Sequence, residues 1–323
     1  MASSLKNLYE ILHERREQER SYKHILIKET MTDYSRRNAV AQRSLMKLLE
    51  KGTQAAGVDF QKILEMHKKE FIGLKNKQVA QSMKIRAHVQ EAALRRRDHI
   101  KQLAQMKDFF MGAKGNPTSL ICLWTADKID AKGVIVGNTT TSPVTTQKAF
   151  GQNIFQGKLS AGESYGSNFM FIDFDFVAQN PPQGLLTATG AYIVNGIYEL
   201  IASGACIGTN SAAAKLSCNL RVSQQNSVGA YIDVMSPIVP NVEESIESGC
   251  SASTNNGPLC DRDEQSISNP TPYPVVAGNP IIASLEFTLQ ASTSGDASSA
   301  IDLLSETEFG INAISIWLVI HIY

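Results

Sequence analysis

Histidine is the side chain that most often transfers protons near neutral pH, and its distribution in this chain is uneven. Five of the six histidines lie in the first 99 residues, and the sixth, His321, lies two residues from the C-terminus. His88 and His99 are about 16 Å apart along a helix, too far for one metal ion. The sequence also has no phosphate-binding or nucleophile-elbow motif. We therefore predict no catalytic residue, no metal site, no cofactor and no enzymatic activity, and interpret His321 as an outward-facing strand residue.

Acidic residues form two groups whose spacing could hold a cation or transfer protons. Asp173 and Asp175 are two residues apart in a strand-like segment and so lie on the same face. We favour solvated strand residues for this pair, or residues at a subunit contact. The group Asp261, Asp263 and Glu264 could bind calcium, but it lacks the glycine and the ligand spacing of an EF-hand.

All five cysteines lie in the C-terminal two thirds of the chain. Cys250 and Cys260 bracket a short loop that a disulfide could close, and Cys206 with Cys218 is a weaker candidate pair. The alternative is that the cysteines are buried thiols, with Cys122 unpaired in either case. The sequence does not decide between these alternatives.

The net charge of zero conceals two halves of opposite sign. Residues 1–114 contain 24 Lys and Arg against 13 Asp and Glu, whereas residues 115–323 contain 7 against 18. Three interpretations of the basic half stay open: a solvated helix face, contacts with the acidic half of a neighbouring subunit, or a polyanion such as nucleic acid. The candidate residues for the last two are clustered cations: Arg36, Arg37, Lys68, Lys69, Arg95, Arg96 and Arg97.

The basic half has the pattern of two long helices. Apolar residues recur every three or four positions, which predicts helices over about 3–51 and 60–111, with Asp59 as the N-cap of the second. Each would be about 75 Å long, so we expect a helical hairpin or a coiled-coil stem spanning residues 1–112. The apolar stripe is interrupted by polar residues at positions that should be apolar: Arg15, Glu19, Gln78, Gln81 and Arg96.

After a Gly- and Pro-containing linker at 113–119, the apolar residues alternate with a period of two. This pattern predicts an antiparallel, jelly-roll-like β-sandwich head over 120–323, in a domain separate from the stem. Residues 236–279 are rich in proline and serine, and we expect them to form one long loop. The predicted strands are eight in number: 120–125, 150–159, 168–178, 189–202, 214–223, 228–235, 281–290 and 311–323.

A basic helical region followed by a β-sandwich resembles, in general plan, the jelly-roll coat proteins of small viruses and the trimeric fibres that end in a β-sandwich tip. The resemblance implies a structural protein that assembles with copies of itself, located in a virion or an extracellular particle. One alternative is a capsid-type protein whose basic region binds nucleic acid, and another is a secreted adhesin or pore-forming toxin. No apolar run of about 18 residues and no secretory signal of the usual kind is present, so we expect no transmembrane insertion.

Overall fold

The structure is a computed structural model with two long helices followed by a two-sheet β-sandwich. It describes residues 2–105, 118–137, 144–148, 153–162, 165–204, 209–226, 229–249, 251–259 and 264–322. Helix α1 spans Ala2–Ala55 and helix α2 spans Phe60–Gln105, close to the predicted bounds. The Asp59 carboxylate accepts a hydrogen bond from the Gln61 amide at 3.0 Å, as expected of an N-cap.

Fifteen strands of the described residues form two antiparallel sheets. The large sheet has the order β11-β7-β14-β4-β15-β6-β12, with β1 pairing β15 and β3 pairing β4; the small sheet has the order β10-β8-β13-β5-β2, with β9 pairing β8. Their bounds are β1 (Thr118–Leu123), β2 (Lys128–Gly137), β3 (Val144–Lys148), β4 (Ile154–Gly162), β5 (Gly166–Ala178), β6 (Gly184–Asn195), β7 (Ile197–Ala202), β8 (Asn210–Gln225), β9 (Tyr231–Met235), β10 (Val239–Ser248), β11 (Ser253–Pro258), β12 (Gln265–Val275), β13 (Ile281–Ser294), β14 (Ala297–Asp302) and β15 (Gly310–His321).

The core lies between the two sheets and is built from the residues that alternate in sequence. In β5, Ile172 and Phe174 face the core, and in β13 Leu285 and Phe287 do so, all at most 1% exposed. The Phe174 and Phe287 rings meet edge to face, 5.8 Å between centroids. The β-sandwich prediction is therefore confirmed, although the described residues of the head form fifteen strands rather than about eight.

The predicted long loop at 236–279 is wrong, because this segment holds the three strands β10, β11 and β12. All three are edge strands. An edge strand tolerates proline and needs no continuous apolar face, so its sequence looks like a loop. The predicted single strand 189–202 is also two strands, divided at Gly196, where a Cβ would lie 2.5 Å from the Asp302 carbonyl oxygen.

The helices are not set apart from the sandwich as the separate-domain prediction required. The first part of α1 lies on the outer face of the small sheet, and the middle of α2 lies on the outer face of the large sheet. Residues 113–117 of the predicted linker lie outside the described residues, and Thr118 already begins β1.

Candidate functional site: the two helix-docking faces

The α1 docking face begins with leucines at helical spacing. Leu8 and Leu12 are one turn apart and fully buried, and both pack against Ile282 of β13. The next turn places Arg16 on the same side of the helix. The buried leucines are therefore followed, one helical turn later, by the buried side chain of Arg16.

Arg16 is 4% exposed and is surrounded by carboxylates of the small sheet. Its Nη2 and Nη1 donate to the two oxygens of Asp175 at 2.8 and 3.3 Å, and its Nε donates to Glu286 at 2.7 Å. The Ser284 hydroxyl also donates to Asp175, at 2.7 Å. Arg16 thus binds acidic residues of two adjacent strands at once, in the forked geometry that guanidinium groups favour.

Two further arginines complete this cluster. Arg20 donates to both oxygens of Asp173 at 2.6 and 2.7 Å and lies over the Phe171 ring, 4.8 Å from its centroid. Arg221 is part of β8 and donates to Glu286 at 2.8 Å and to Glu19 of α1 at 2.6 Å. Ion pairs therefore connect α1 and the sheet in both senses. Arginines of α1 bind carboxylates of the sheet, and Arg221 of the sheet binds Glu19 of α1.

Burial and ion pairing have opposite effects on the pKa values of these groups. Burial alone would raise the pKa of Glu286, but Arg16, Arg221 and the Asn219 amide outweigh it and hold that pKa below its usual value. Burial dominates at Asp173 and raises its pKa despite the neighbouring arginines. Burial works against the charge of Arg16, but the surrounding carboxylates raise its pKa well above the usual value. The charges of Glu286 and Arg16 are therefore stabilised by their ion-pair partners rather than by solvent.

The expectation that Asp173 and Asp175 are solvated strand residues is wrong. They are 2% and 1% exposed, and α1 covers them. The prediction that they share a face was correct. The one sequence signal for the covering helix is that Arg16 and Arg20 continue the spacing of Leu8 and Leu12 along α1. Both carboxylates are bound by arginine, so the arrangement binds a helix and offers no free acid or base to a substrate.

Helix α2 docks on the large sheet through a smaller apolar contact. Val89 is 5% exposed and packs against Ile197 and Phe309, with Ile85 beside them. Two of the polar residues that interrupt the predicted stripe belong to this contact: the Gln78 amide donates to the Leu200 carbonyl at 3.0 Å, and Arg96 donates to Asn195 at 2.8 Å.

Asp302 connects α2 to a turn of the large sheet. Arg86 lies 2.9 Å from one carboxylate oxygen of Asp302, and the amides of Leu304 and Ser305 donate to the other at 3.0 and 2.9 Å. Burial would raise the pKa of Asp302, but these hydrogen bonds, the Ser305 hydroxyl and Lys158 lower it below its usual value. The ionised carboxylate is thus part of the α2 docking face.

The predicted basic residues do not form one surface. Arg96 is buried against the sandwich, whereas Lys68, Lys69 and Arg95 are exposed on α2. Arg36, Arg37 and Arg97 belong to the helices, but their side chains lie outside the described part of the structure. The attraction expected between a basic stem and the acidic head of a neighbouring subunit occurs here within one chain.

The remaining candidates do not assemble into a site. His321 and Glu264 are exposed, and among the described residues no group of three or more His, Cys, Asp or Glu could hold a metal ion. Cys218 is a free thiol in the core. Cys206, Cys250, Cys260, Asp261 and Asp263 lie outside the described residues, so the Cys250–Cys260 pairing stays a prediction. The weaker Cys206–Cys218 pairing does not agree with the free thiol of Cys218.

The helices extend well beyond their docking faces. After Arg20, α1 continues for 35 residues to Ala55, about 50 Å, and α2 returns over 18 residues from Phe60 to Lys77, about 27 Å. We call residues 21–77 the helical arm. It exposes large apolar side chains, among them Tyr22 and Met66 at 70% and Leu48 at 65%. The others are Ile25, Val40, Met46, Val58, Leu64 and Ile72.

Comparison with known proteins leaves the chain without an assigned family. No protein-family model and no curated protein matches it. In the described helices, no segment is long and apolar enough to cross a membrane.

Several solved structures are similar to part of the chain. TmCBM61 in complex with beta-1,4-galactotriose is 12% identical over 58% of this chain and 90% of its own, with a TM-score of 0.19. A family 35 carbohydrate-binding module from Clostridium thermocellum is 10% identical over 62% and 97%, with a TM-score of 0.17. Tailspike protein 4 of bacteriophage CBA120 is 8% identical over 58% and 20%, with a TM-score of 0.20. The β-sandwich fold of this chain is assigned from its own pattern of strand pairing in two sheets.

Proposed function

We propose that the protein is a non-enzymatic structural subunit that assembles with copies of itself through the helical arm and the sandwich, in a virion particle or fibre. The observation that carries the proposal is the arm. Its exposed apolar residues are large, numerous and repeated along both helices, whereas single exposed apolar residues are normal on a monomer.

The docking faces support the same proposal. Both helices are anchored at the sandwich by buried contacts, so the arm is held out from a rigid base. A long helical hairpin that leaves apolar positions unmatched gains stability by packing against other helices. The helical-hairpin or coiled-coil stem predicted from sequence is, in this proposal, the state that the arm adopts in the assembly.

The test compares two double variants of the arm by size-exclusion chromatography with light scattering. Met66→Lys with Ile72→Lys adds two charges at exposed apolar positions, and Gln61→Lys with Asn76→Lys adds the same charges at exposed polar positions. We expect the wild type and the Gln61→Lys, Asn76→Lys variant to form oligomers. The Met66→Lys, Ile72→Lys variant should dissociate into monomers already at protein concentrations about tenfold higher or more than those at which the wild type dissociates. Equal dissociation of both variants would contradict the role of the apolar residues.

A second candidate function is polyanion binding by the exposed cationic side chains of α2. It is favoured by the exposure of Lys68, Lys69 and Arg95. Binding to a nucleic acid would weaken steeply with added salt, and purified assemblies would show a raised ratio of absorbance at 260 to 280 nm. An assembly with the absorbance of pure protein would favour the fibre over the capsid-type alternative.

A further inference from the structure

A half-open cavity of about 270 Å³ lies on the outer face of the small sheet. Ser211 and Ala213 of β8 belong to the same outward-facing row as Arg221, but lie near the opposite end of the strand from the α1 contact. The cavity is therefore separate from the docking face. Its volume is near the lower end of the range of small-molecule sites, which suits a ligand the size of a monosaccharide.

Small residues of three adjacent strands make this depression. Ser245 and Ser292 lie opposite Ala213 on its two sides, and Glu247 and Ser294 lie opposite Ser211. With serine and alanine at these positions, no long side chain fills the space above the sheet. The half-buried ring of Tyr165 lines the cavity as well.

The buried hydroxyl of Ser294 indicates that a bound molecule occupies this cavity. Ser294 is 8% exposed, and its hydroxyl oxygen has no hydrogen-bond partner among the described residues. A buried hydroxyl without a partner is costly, and one that borders a cavity is commonly satisfied by a bound molecule. Ser211 and Ser245 add two further hydroxyls to the lining beside that of Ser294.

The lining selects the ligand chemistry. A serine hydroxyl both donates and accepts, which matches the hydroxyls of a polyol. Among the described residues that line the cavity there is no lysine, arginine or histidine, and the charged one is Glu247, so a phosphate or carboxylate would be repelled. Tyr165 and Ala213 offer apolar surface to the C–H faces of a sugar ring. The geometry points to a binding site for a neutral, monosaccharide-sized polyol on the small sheet.

The test uses the full-length protein and saturation-transfer difference NMR with methyl glucoside, methyl galactoside and glucuronate, each at about 10 mM, because small ligands bind weakly. We expect saturation of a neutral glycoside and weaker saturation of glucuronate. Glu247→Gln should remove that discrimination, whereas Glu264→Gln, at an exposed position outside the cavity, should keep it. If no neutral glycoside is saturated, the cavity holds water only and the inference is wrong.

Two further variants separate binding from folding. Ala213→Leu fills the cavity and should weaken glycoside binding about tenfold or more, with the oligomeric mass unchanged. Ser294→Ala should weaken binding while the melting temperature stays equal or rises, because the substitution removes an unsatisfied buried hydroxyl. Wild-type affinity in a folded Ala213→Leu variant would overturn the inference without bearing on self-assembly.

Discussion

Neighbouring arginines of α1 illustrate how burial decides what a charge contributes. Arg16 is buried among Asp173, Asp175 and Glu286, whereas the Arg15 side chain is 48% exposed and lies 3.1 Å from Asp233. Solvent screens the Arg15 pair, so that pair contributes little. Removal of Arg16 would leave buried carboxylates without a partner.

We expect Arg16→Met to weaken α1 docking by about 3–5 kcal/mol and Arg15→Met by less than about 1 kcal/mol. The two variants remove the same charge at adjacent positions of one helix, so net charge and helix propensity are matched. Hydrogen exchange of the α1 amides measures the docking free energy. Equal effects of the two substitutions would show that the buried cluster does not hold the helix.

Asp302, in the turn that α2 contacts, makes the stability of the fold dependent on pH through its hydrogen bonds to Leu304 and Ser305. Its pKa lies below the usual value, so its ionised form is favoured in the folded protein. A group of this kind stabilises the fold above its unfolded pKa, near 4, and the contribution is lost as pH falls through the lower folded value.

The stability difference between wild type and Asp302→Asn should therefore be largest near neutral pH and should shrink between about pH 5 and pH 3. Thermal unfolding across this range is the measurement. Asp296→Asn, at an exposed position, serves as a control whose profile should run parallel to that of the wild type. A constant gap for Asp302→Asn at all pH values would contradict the assignment.

Whole elements differ in how far the sequence could predict them. The central strands β5, β8 and β13 alternate apolar and polar residues, and these were recognised. The edge strands β10 and β12 contain proline and exposed polar residues, so nothing local separates them from a loop. Their pairing with β8 and β6 depends on residues distant in sequence.

Local sequence patterns also could not predict where the two helices dock on the sandwich. Periodicity predicted both helices, but it treated Gln78 and Arg96 as defects of a coiled-coil seam. Their partners are Leu200 and Asn195, more than 90 residues away, so no spacing rule within α2 could identify them. Likewise, Asp173 looked solvated because the helix that covers it lies 150 residues earlier in the chain.

The α2 contact can be tested with a pair of aspartate substitutions. Val89→Asp would bury a charge against Ile197 and Phe309, whereas Ala87→Asp adds the same charge at an exposed position of the same helix. Trypsin should cleave α2 of the first variant much faster, with cuts after Lys84 and Arg95, and should leave the second like the wild type. Equally slow cleavage of both would mean that α2 is held by contacts other than Val89.

At the scale of the whole molecule, the neutral net charge results from a basic N-terminal part folded onto an acidic sandwich. Much of the complementarity is used inside the chain, at the α1 cluster and at Asp302. In the proposed assembly, electrostatic attraction between subunits is therefore not required, and the exposed apolar residues of the arm are the proposed contacts between copies.

The proposed structural role requires that the protein forms ordered multimers. Negative-stain electron microscopy of the purified protein distinguishes the outcomes at once. We predict shells or fibres of uniform dimensions, with sandwich heads repeating along or around a helical centre. A field of separate particles the size of one 35.3 kDa chain, at concentrations up to micromolar, would contradict the proposed structural role.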